Sequence, residues 1–158
     1  MVNKDEFKNC LARFASGVTV VTYKDGEEMG GITVSSFTSL SLEPPLVLFN
    51  LNRVSHSHAV IQSGKNFAIH ILSSSQEEIS NSFASSKVNK HEFLKSIGYE
   101  LEEGVPIFGD CLAALVCEKE VMYDGGDHSI VVSKVKSVRL REELSPLLYY
   151  NRKYYRLP

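Results

Sequence analysis

The chain contains no tryptophan and only three cysteines, Cys10, Cys111 and Cys117, among its 158 residues. An odd number of thiols, without a CxxC spacing or a cysteine-histidine cluster, argues against a disulfide framework and a structural zinc site and leaves buried free thiols as the expectation. No stretch approaches the roughly 18 apolar residues of a membrane span, and the N-terminal MVNKDEFKNCLARF lacks the apolar core of a signal peptide, so the expected location is the cytoplasm, with no membrane partner. Neither sign of charge dominates. Seventeen basic against nineteen acidic residues give a net charge of −2 and no electrostatic footprint for nucleic acid. GxGxxG after a strand, GxxxxGK followed by serine or threonine, HExxH and GxSxG are all missing, which removes the common dinucleotide-fold, P-loop, zinc-protease and hydrolase-elbow chemistries. His56 and His58 have no carboxylate or cysteine beside them, so no metal is expected.

What is present is an uncharged, hydroxyl-rich stretch over residues 30–51, GGITVSSFTSLSLEPPLVLFNL, with six hydroxyl side chains between Thr33 and Ser41. Ile32 and Val34 alternate with Thr33 and Ser35, the period of a half-buried strand, so the polar pair points to one face. The turn at Glu43, Pro44 and Pro45 leads into an apolar run suited to a deep strand. Such a segment suits a flat ligand with polar edges.

The rest of the chain reads as strands with few helices. Asn3 with Glu6 has capping-box spacing, and Phe7, Cys10, Leu11 and Phe14 make one apolar stripe, predicting a helix packed on the body and stopped near Gly17. Residues 18–23 are β-branched, and the Asp25-Gly26 turn pairs them antiparallel with the stretch at residue 30. Ser55 and Ser57 near a helix start, with Arg53 beside them, form a plausible anion seat. Residues 66–72 predict a strand, and Ser74 or Ser75 a capped helix carrying Ile79 and Phe83. Residues 85–91 read as a polar loop and 98–109 as irregular chain. Two long strands flank the turn at residues 124–127, and a tail with four tyrosines and three bases in its last ten residues packs rather than frays. With no linker or repeat, one domain over residues 1–158 is expected, and about six strands favour an antiparallel barrel over a parallel sheet.

The order of these blocks carries a resemblance. FASGVTVVT at 14–22, the block at 31–51, Ser55 and Ser57, FAIHIL at 67–72, residues 81–93, GDHSIVVSKV at 126–135 and PLLYYNRKYYRL at 146–157 together resemble the short-chain flavin reductases, the reductase components of two-component flavin-dependent monooxygenases. The resemblance implies a mainly β fold, the FMN-binding split β-barrel of antiparallel, Greek-key type with a few flanking helices. It implies hydride transfer from NADH or NADPH to FMN or FAD, a homodimer, and a flavin-dependent monooxygenase as possible partner. The ring would be held by Thr33, Val34, Ser35 and Ser36, the phosphate by Asn50, Ser55, Ser57 and Lys90, with Tyr154 also at the cofactor and His128 positioning the nicotinamide. Asn89, His91 and Arg152 depart from the family's usual aspartate, aromatic and glycine. A non-enzymatic flavin carrier on the same barrel is the alternative.

Overall fold

Asn3 opens the first helix, α1 (Lys4–Leu11), its Oδ1 accepting from the N–H groups of Asp5 and Glu6 at 2.8 and 3.2 Å. The computed structural model describes residues 1–158. Two expectations about this helix fail. It ends at Leu11, and Gly17 lies instead in the short strand β1 (Ser16–Gly17). None of its residues is buried, and Phe7 and Leu11 stay more than half exposed. The spacing of a stripe shows which side is apolar but not whether the chain itself covers it. Cys10, on this helix, is exposed for the same reason, whereas Cys111 and Cys117 are buried.

The local hairpin signals hold. Strand β2 (Thr19–Asp25) turns through Gly26, at φ +60°, into β3 (Glu28–Val34), in register from Thr19–Val34 to Asp25–Glu28. Next come β4 (Thr38–Ser41), β5 (Leu46–Asn52), helix α2 (His56–Ser63) capped by Ser55, and β6 (Asn66–Ile71). Helix α3 (Glu77–Ala84) starts at Gln76, without the serine cap expected for it; the Gln76 amide instead ties Ser73 to Gly109. The stretch read as polar loop runs into helix α4 (Lys90–Ile97), where Asn89 accepts from Glu92 N–H at 3.0 Å, so this asparagine does the capping work of an aspartate. The segment read as irregular contains a small hairpin, β7 (Glu100–Glu102) and β8 (Val105–Ile107). Strands of three residues are too short to display a period, and Pro106 reads as a breaker although it sits at the margin of a two-stranded sheet. The ribbon is β9 (Ala113–Gly125) with β10 (His128–Leu140), bent at two register shifts, and the tail is a hairpin of β11 (Leu147–Tyr150) and β12 (Lys153–Arg156). Its turn residues Asn151 and Arg152 both have positive φ, which explains why glycine is the natural occupant at the second.

Twelve strands are thus present where about six were expected. Seven form one sheet in the order β3-β2-β6-β9-β10-β5-β4, every pairing antiparallel. Its two outermost strands, β3 and β4, are consecutive in the chain, so the link at residues 35–37 bends the sheet's two edges towards each other. No ladder joins those edges, and the barrel stays open; Ser36 Oγ in the link accepts from Asn50 N–H on β5 at 2.9 Å and donates to Asn50 C=O at 3.3 Å. This is a split barrel.

Period two along β2 sorts its side chains between two cores. Val21 and Tyr23 join Phe49, Leu51, Phe67 and Ile69 inside the barrel, while Val18 and Val20 meet Phe83, Leu94, Phe108 and Leu147 under α3, α4 and the tail. Burial on both faces explains why β2 is a continuous β-branched run. A third cluster, including Val105, Ile107 and Val116, lies under the β7–β8 hairpin.

Candidate functional site

Two concavities flank β3 and share Ile32 in their linings. Nine of the ten sequence-predicted residues line them: Thr33, Val34, Ser35, Ser36, Asn50 and His128 the first, of about 1000 Å³, and Ser55, Ser57 and Lys90 the second, of about 680 Å³. The tenth, Tyr154, lines neither. Its hydroxyl lies 2.6 Å from Ser80 Oγ and donates to Asn81 Oδ1 at 3.2 Å, and the Ser80 carbonyl in turn accepts from Thr33 Oγ1 at 2.6 Å. Tyr154 therefore braces the wall of the first cavity from behind.

The hydroxyl face expected from the alternation exists, but its hydroxyls are already engaged. Thr33 is bonded to Ser80 and Ser36 to Asn50, which leaves the exposed Ser35 and the outer backbone groups of edge strand β3 to meet a ligand. Asn50 offers one further group. Its Oδ1 is buried with no hydrogen-bond partner, although its backbone is doubly bonded by Ser36. A buried acceptor left unpaired is disfavoured by about 1–3 kcal/mol, so it marks where a ligand N–H or O–H donor fits. The imide and sugar-alcohol portions of a flavin carry such donors.

His128 opens β10 on the opposite wall, its Nδ1 2.7 Å from Asp127 Oδ1. The bond holds the Asp127 carboxyl below the usual carboxylate range and places a proton on Nδ1 facing it, so that Nε2 is the ring nitrogen turned away from the aspartate. The Gly-Asp-His block was read for its histidine; its aspartate orients the ring. Lys4, Phe7, Lys8 and Leu11 of α1 line the same cavity, a contribution no sequence pattern announced.

The second cavity has anion chemistry. The first turn of α2 presents the N–H groups of His56 and Ser57 without intrahelical acceptors, and the Lys90 ammonium sits on the Ser85 carbonyl, where burial lowers its pKa. The two serines themselves are occupied: Ser55 Oγ accepts from His58 N–H and donates to Asn52 C=O, and Ser57 Oγ lies 2.6 Å from the buried Tyr23 hydroxyl. Gly30 and Gly31 also line this cavity, and the rings of Tyr23 and Phe83 sit where their Cβ atoms would be, so neither position has room for a side chain. His91 Nδ1 accepts from Met29 N–H at 3.0 Å, a tie to β3 that a phenyl ring, with no ring nitrogen, could not make. Arg53, expected to join the anion seat, is directed elsewhere: Nη2 pairs with Asp124 Oδ1 at 2.5 Å and Nε donates to His128 C=O at 3.2 Å. His58 is likewise engaged, its Nε2 2.8 Å from Ser129 Oγ.

Comparisons with known proteins agree with this geometry. Residues 11–158 match the family described as flavin reductase like domain. The chain is 44% identical to the reductase component of 4-hydroxyphenylacetate 3-monooxygenase from Thermus thermophilus, over 98% of this chain and 97% of that one. It is 40% identical to the FMN reductase (NADH) SmoA of Agrobacterium fabrum, over 84% of this chain and 75% of that one. Among solved structures, the NADH:FAD oxidoreductase SgcE6 of Streptomyces globisporus, in complex with NAD and FAD fragments, superposes with a TM-score of 0.92 at 30% identity, covering 99% of this chain and 93% of that one. With a family match over nearly its whole length and relatives aligned almost end to end, the chain belongs to the flavin reductase like domain family.

Proposed function

We propose that this protein is an NAD(P)H:flavin oxidoreductase that reduces FMN or FAD and supplies the reduced flavin to a partner monooxygenase. The observation that carries this reading is the pair of cavities meeting at Ile32, one with an orphaned acceptor and an aspartate-held histidine, the other with a free helix N-terminus and a lysine. A flavin mononucleotide has this division, a ring at one end and a phosphate at the other. Bound there, the flavin would supply the two-electron chemistry of the hydride step. The chain's own residues bind and orient. Asn50 Oδ1 and the outer edge of β3 hold the ring by neutral contacts, while the α2 N-terminus and Lys90 hold the phosphate. His128, oriented by its bond to Asp127, would position the nicotinamide through Nε2, the ring nitrogen left free. No side chain needs to transfer a proton in the hydride step, so proximity and alignment are the chain's contribution.

The same reading takes residues 1–158 as one domain and places it in the cytoplasm, consistent with the absence of any helix long and apolar enough to cross a membrane. It also assigns a homodimer, since Phe7, Leu11 and Phe14 on and after α1, with Leu40 in β4 and Leu42 just after it, are large apolar side chains left exposed.

Purified protein given NADH or NADPH with FMN, FAD or riboflavin under air should oxidise the nicotinamide, followed by loss of absorbance at 340 nm. A yellow protein that oxidises neither nicotinamide would overturn the reductase reading in favour of a flavin carrier. His128→Ala should raise the nicotinamide KM about tenfold, the worth of one hydrogen bond of ~1.4 kcal/mol, and leave flavin affinity within about twofold. Equal losses for both ligands would move His128 into the flavin site.

A further inference from the structure

The β9–β10 turn carries His128 on a ribbon tip, where such turns are ordinarily mobile and exposed. Here the tip is fastened from one direction. Arg53, in the loop between β5 and α2, makes three bonds to it: its backbone N–H to the Asp127 carbonyl at 3.0 Å, its Nε to the His128 carbonyl at 3.2 Å, and its Nη2 to Asp124 Oδ1 at 2.5 Å. The register reinforces this, because His128 faces Asn52 on β5 and Gly125 on β9. The guanidinium thus reaches both sides of the turn, the strand that enters it and the residue that leaves it. Asp124 is almost fully exposed, so the ion pair alone would add little. What the bonds supply is geometry: the peptide of His128 is held from Arg53, and its side chain is held from Asp127.

We infer that Arg53 is a positioning residue for the nicotinamide, acting through His128, and not a ligand of the flavin phosphate. The inference rests on the reductase reading and adds to it a residue that ties the nicotinamide wall to the loop leading into the phosphate seat. Arg53 connects to Ser55 by only one intervening residue, so the loop that presents the α2 N-terminus also fixes the turn that presents His128.

Steady-state kinetics on Arg53→Ala, Arg53→Lys and Asp124→Asn, with flavin binding measured separately, tests this. Arg53→Ala should raise the nicotinamide KM about fivefold while kcat and the FMN dissociation constant stay within about twofold, the signature of lost substrate positioning. Arg53→Lys, which can keep the ion pair to Asp124 but not the planar fork, should fall between wild type and Arg53→Ala, and Asp124→Asn, which keeps the fork and an oxygen acceptor, should stay near wild type. Combined with His128→Ala, the Arg53→Ala change should add nothing further to KM, because the side chain it positions is gone. Additive effects would overturn the inference, as would an Arg53→Ala protein that loses affinity for FMN but not for riboflavin, which would return Arg53 to the phosphate. If Arg53→Ala fails to fold, the Arg53→Lys change, which removes the Nε–H that bonds the His128 carbonyl, carries the same test, and an unchanged nicotinamide KM there overturns the inference. A wild-type protein that oxidises neither NADH nor NADPH sinks the reductase reading itself; normal wild-type turnover with an unaltered Arg53→Ala sinks only this assignment.

Discussion

Gly31→Ala is expected to lower the unfolding free energy by about 2–3 kcal/mol, near the upper end for overpacking a filled core. A Cβ at Gly31 would lie 2.7 and 2.8 Å from Phe83 Cε1 and Cδ1 and 2.9 Å from the Val21 carbonyl oxygen. None of these atoms can yield easily. Phe83 is 2% exposed and edge-on to Phe93 at 5.5 Å, and Val21 lies in a strand paired on both sides. Moving Phe83 moves α3, whose Ser80 carbonyl anchors Thr33, so the damage should spread to the ring wall of the first cavity. Denaturant unfolding measures the loss, and flavin titration of the remaining folded protein measures the spread. Gly17→Ala is the control: nothing lies within 4 Å of its Cβ position, and its stability should stay within about 1 kcal/mol of wild type. A Gly31→Ala protein as stable as the control would show that α3 floats on β3 and does not pack against it.

The second large effect is on acid stability. His70 is completely buried, stacked on Phe108 at 3.9 Å, with Nε2 accepting from Phe108 N–H at 3.3 Å and Nδ1 3.1 Å from the Val20 carbonyl. Because one nitrogen must accept, the proton is on Nδ1 and the ring is neutral. Burial pushes its pKa down to about 4, against the support of the Val20 carbonyl. The unfolded chain titrates near ~6.5. Above that value both states are neutral and the contribution to stability is complete. As pH falls below it, the unfolded state takes up a proton that the folded state refuses, and stability declines by about 1.4 kcal/mol per pH unit. By pH 4 the loss should total about 3 kcal/mol. Most carboxylates titrate below about pH 4.5, so denaturant melts between pH 6.5 and 4.5 isolate the histidine. His70→Phe should start lower at pH 7, with Phe108 N–H unpaired and the Val20 carbonyl without its imidazole contact, and show a much flatter slope through this window. A wild-type profile that is flat there, or a variant with an undiminished slope, would remove His70 as the cause.

Both effects come from places where local pattern and long-range packing meet, and the sequence exposes only the first. The β2–β3 and β9–β10 hairpins were legible because an alternating run and an Asp-Gly or Gly-Gly turn are neighbours in the chain. The β7–β8 hairpin and α4 were not, one too short to show a period and the other opened by a stretch indistinguishable from solvent loop. The apolar stripe of α1 was visible; its exposure was not, since no local pattern reports what a face meets. At the site, the residues of Thr33–Ser36, Asn50, Ser55, Ser57, Lys90 and His128 could be singled out by type and order. Arg53 could not be assigned, because its partners Asp124 and His128 lie 71 and 75 residues away.

By itself the sequence determined the class of fold, through period-two strands and short turns, and pointed to the kind of chemistry through the ordered blocks it shares with the short-chain flavin reductases. The tertiary structure alone decided which polar groups in those blocks are free. Thr33, Ser36, Ser55 and Ser57 each carry the same hydroxyl, and all four are already bonded within the protein, while the Asn50 amide oxygen, no more conspicuous in the chain, is left buried and unpaired. A hydroxyl's capacity to bond is a property of the residue. Whether that capacity remains for a ligand depends on which distant backbone the fold brings within 3 Å, and for Thr33 that is Ser80, 47 residues on.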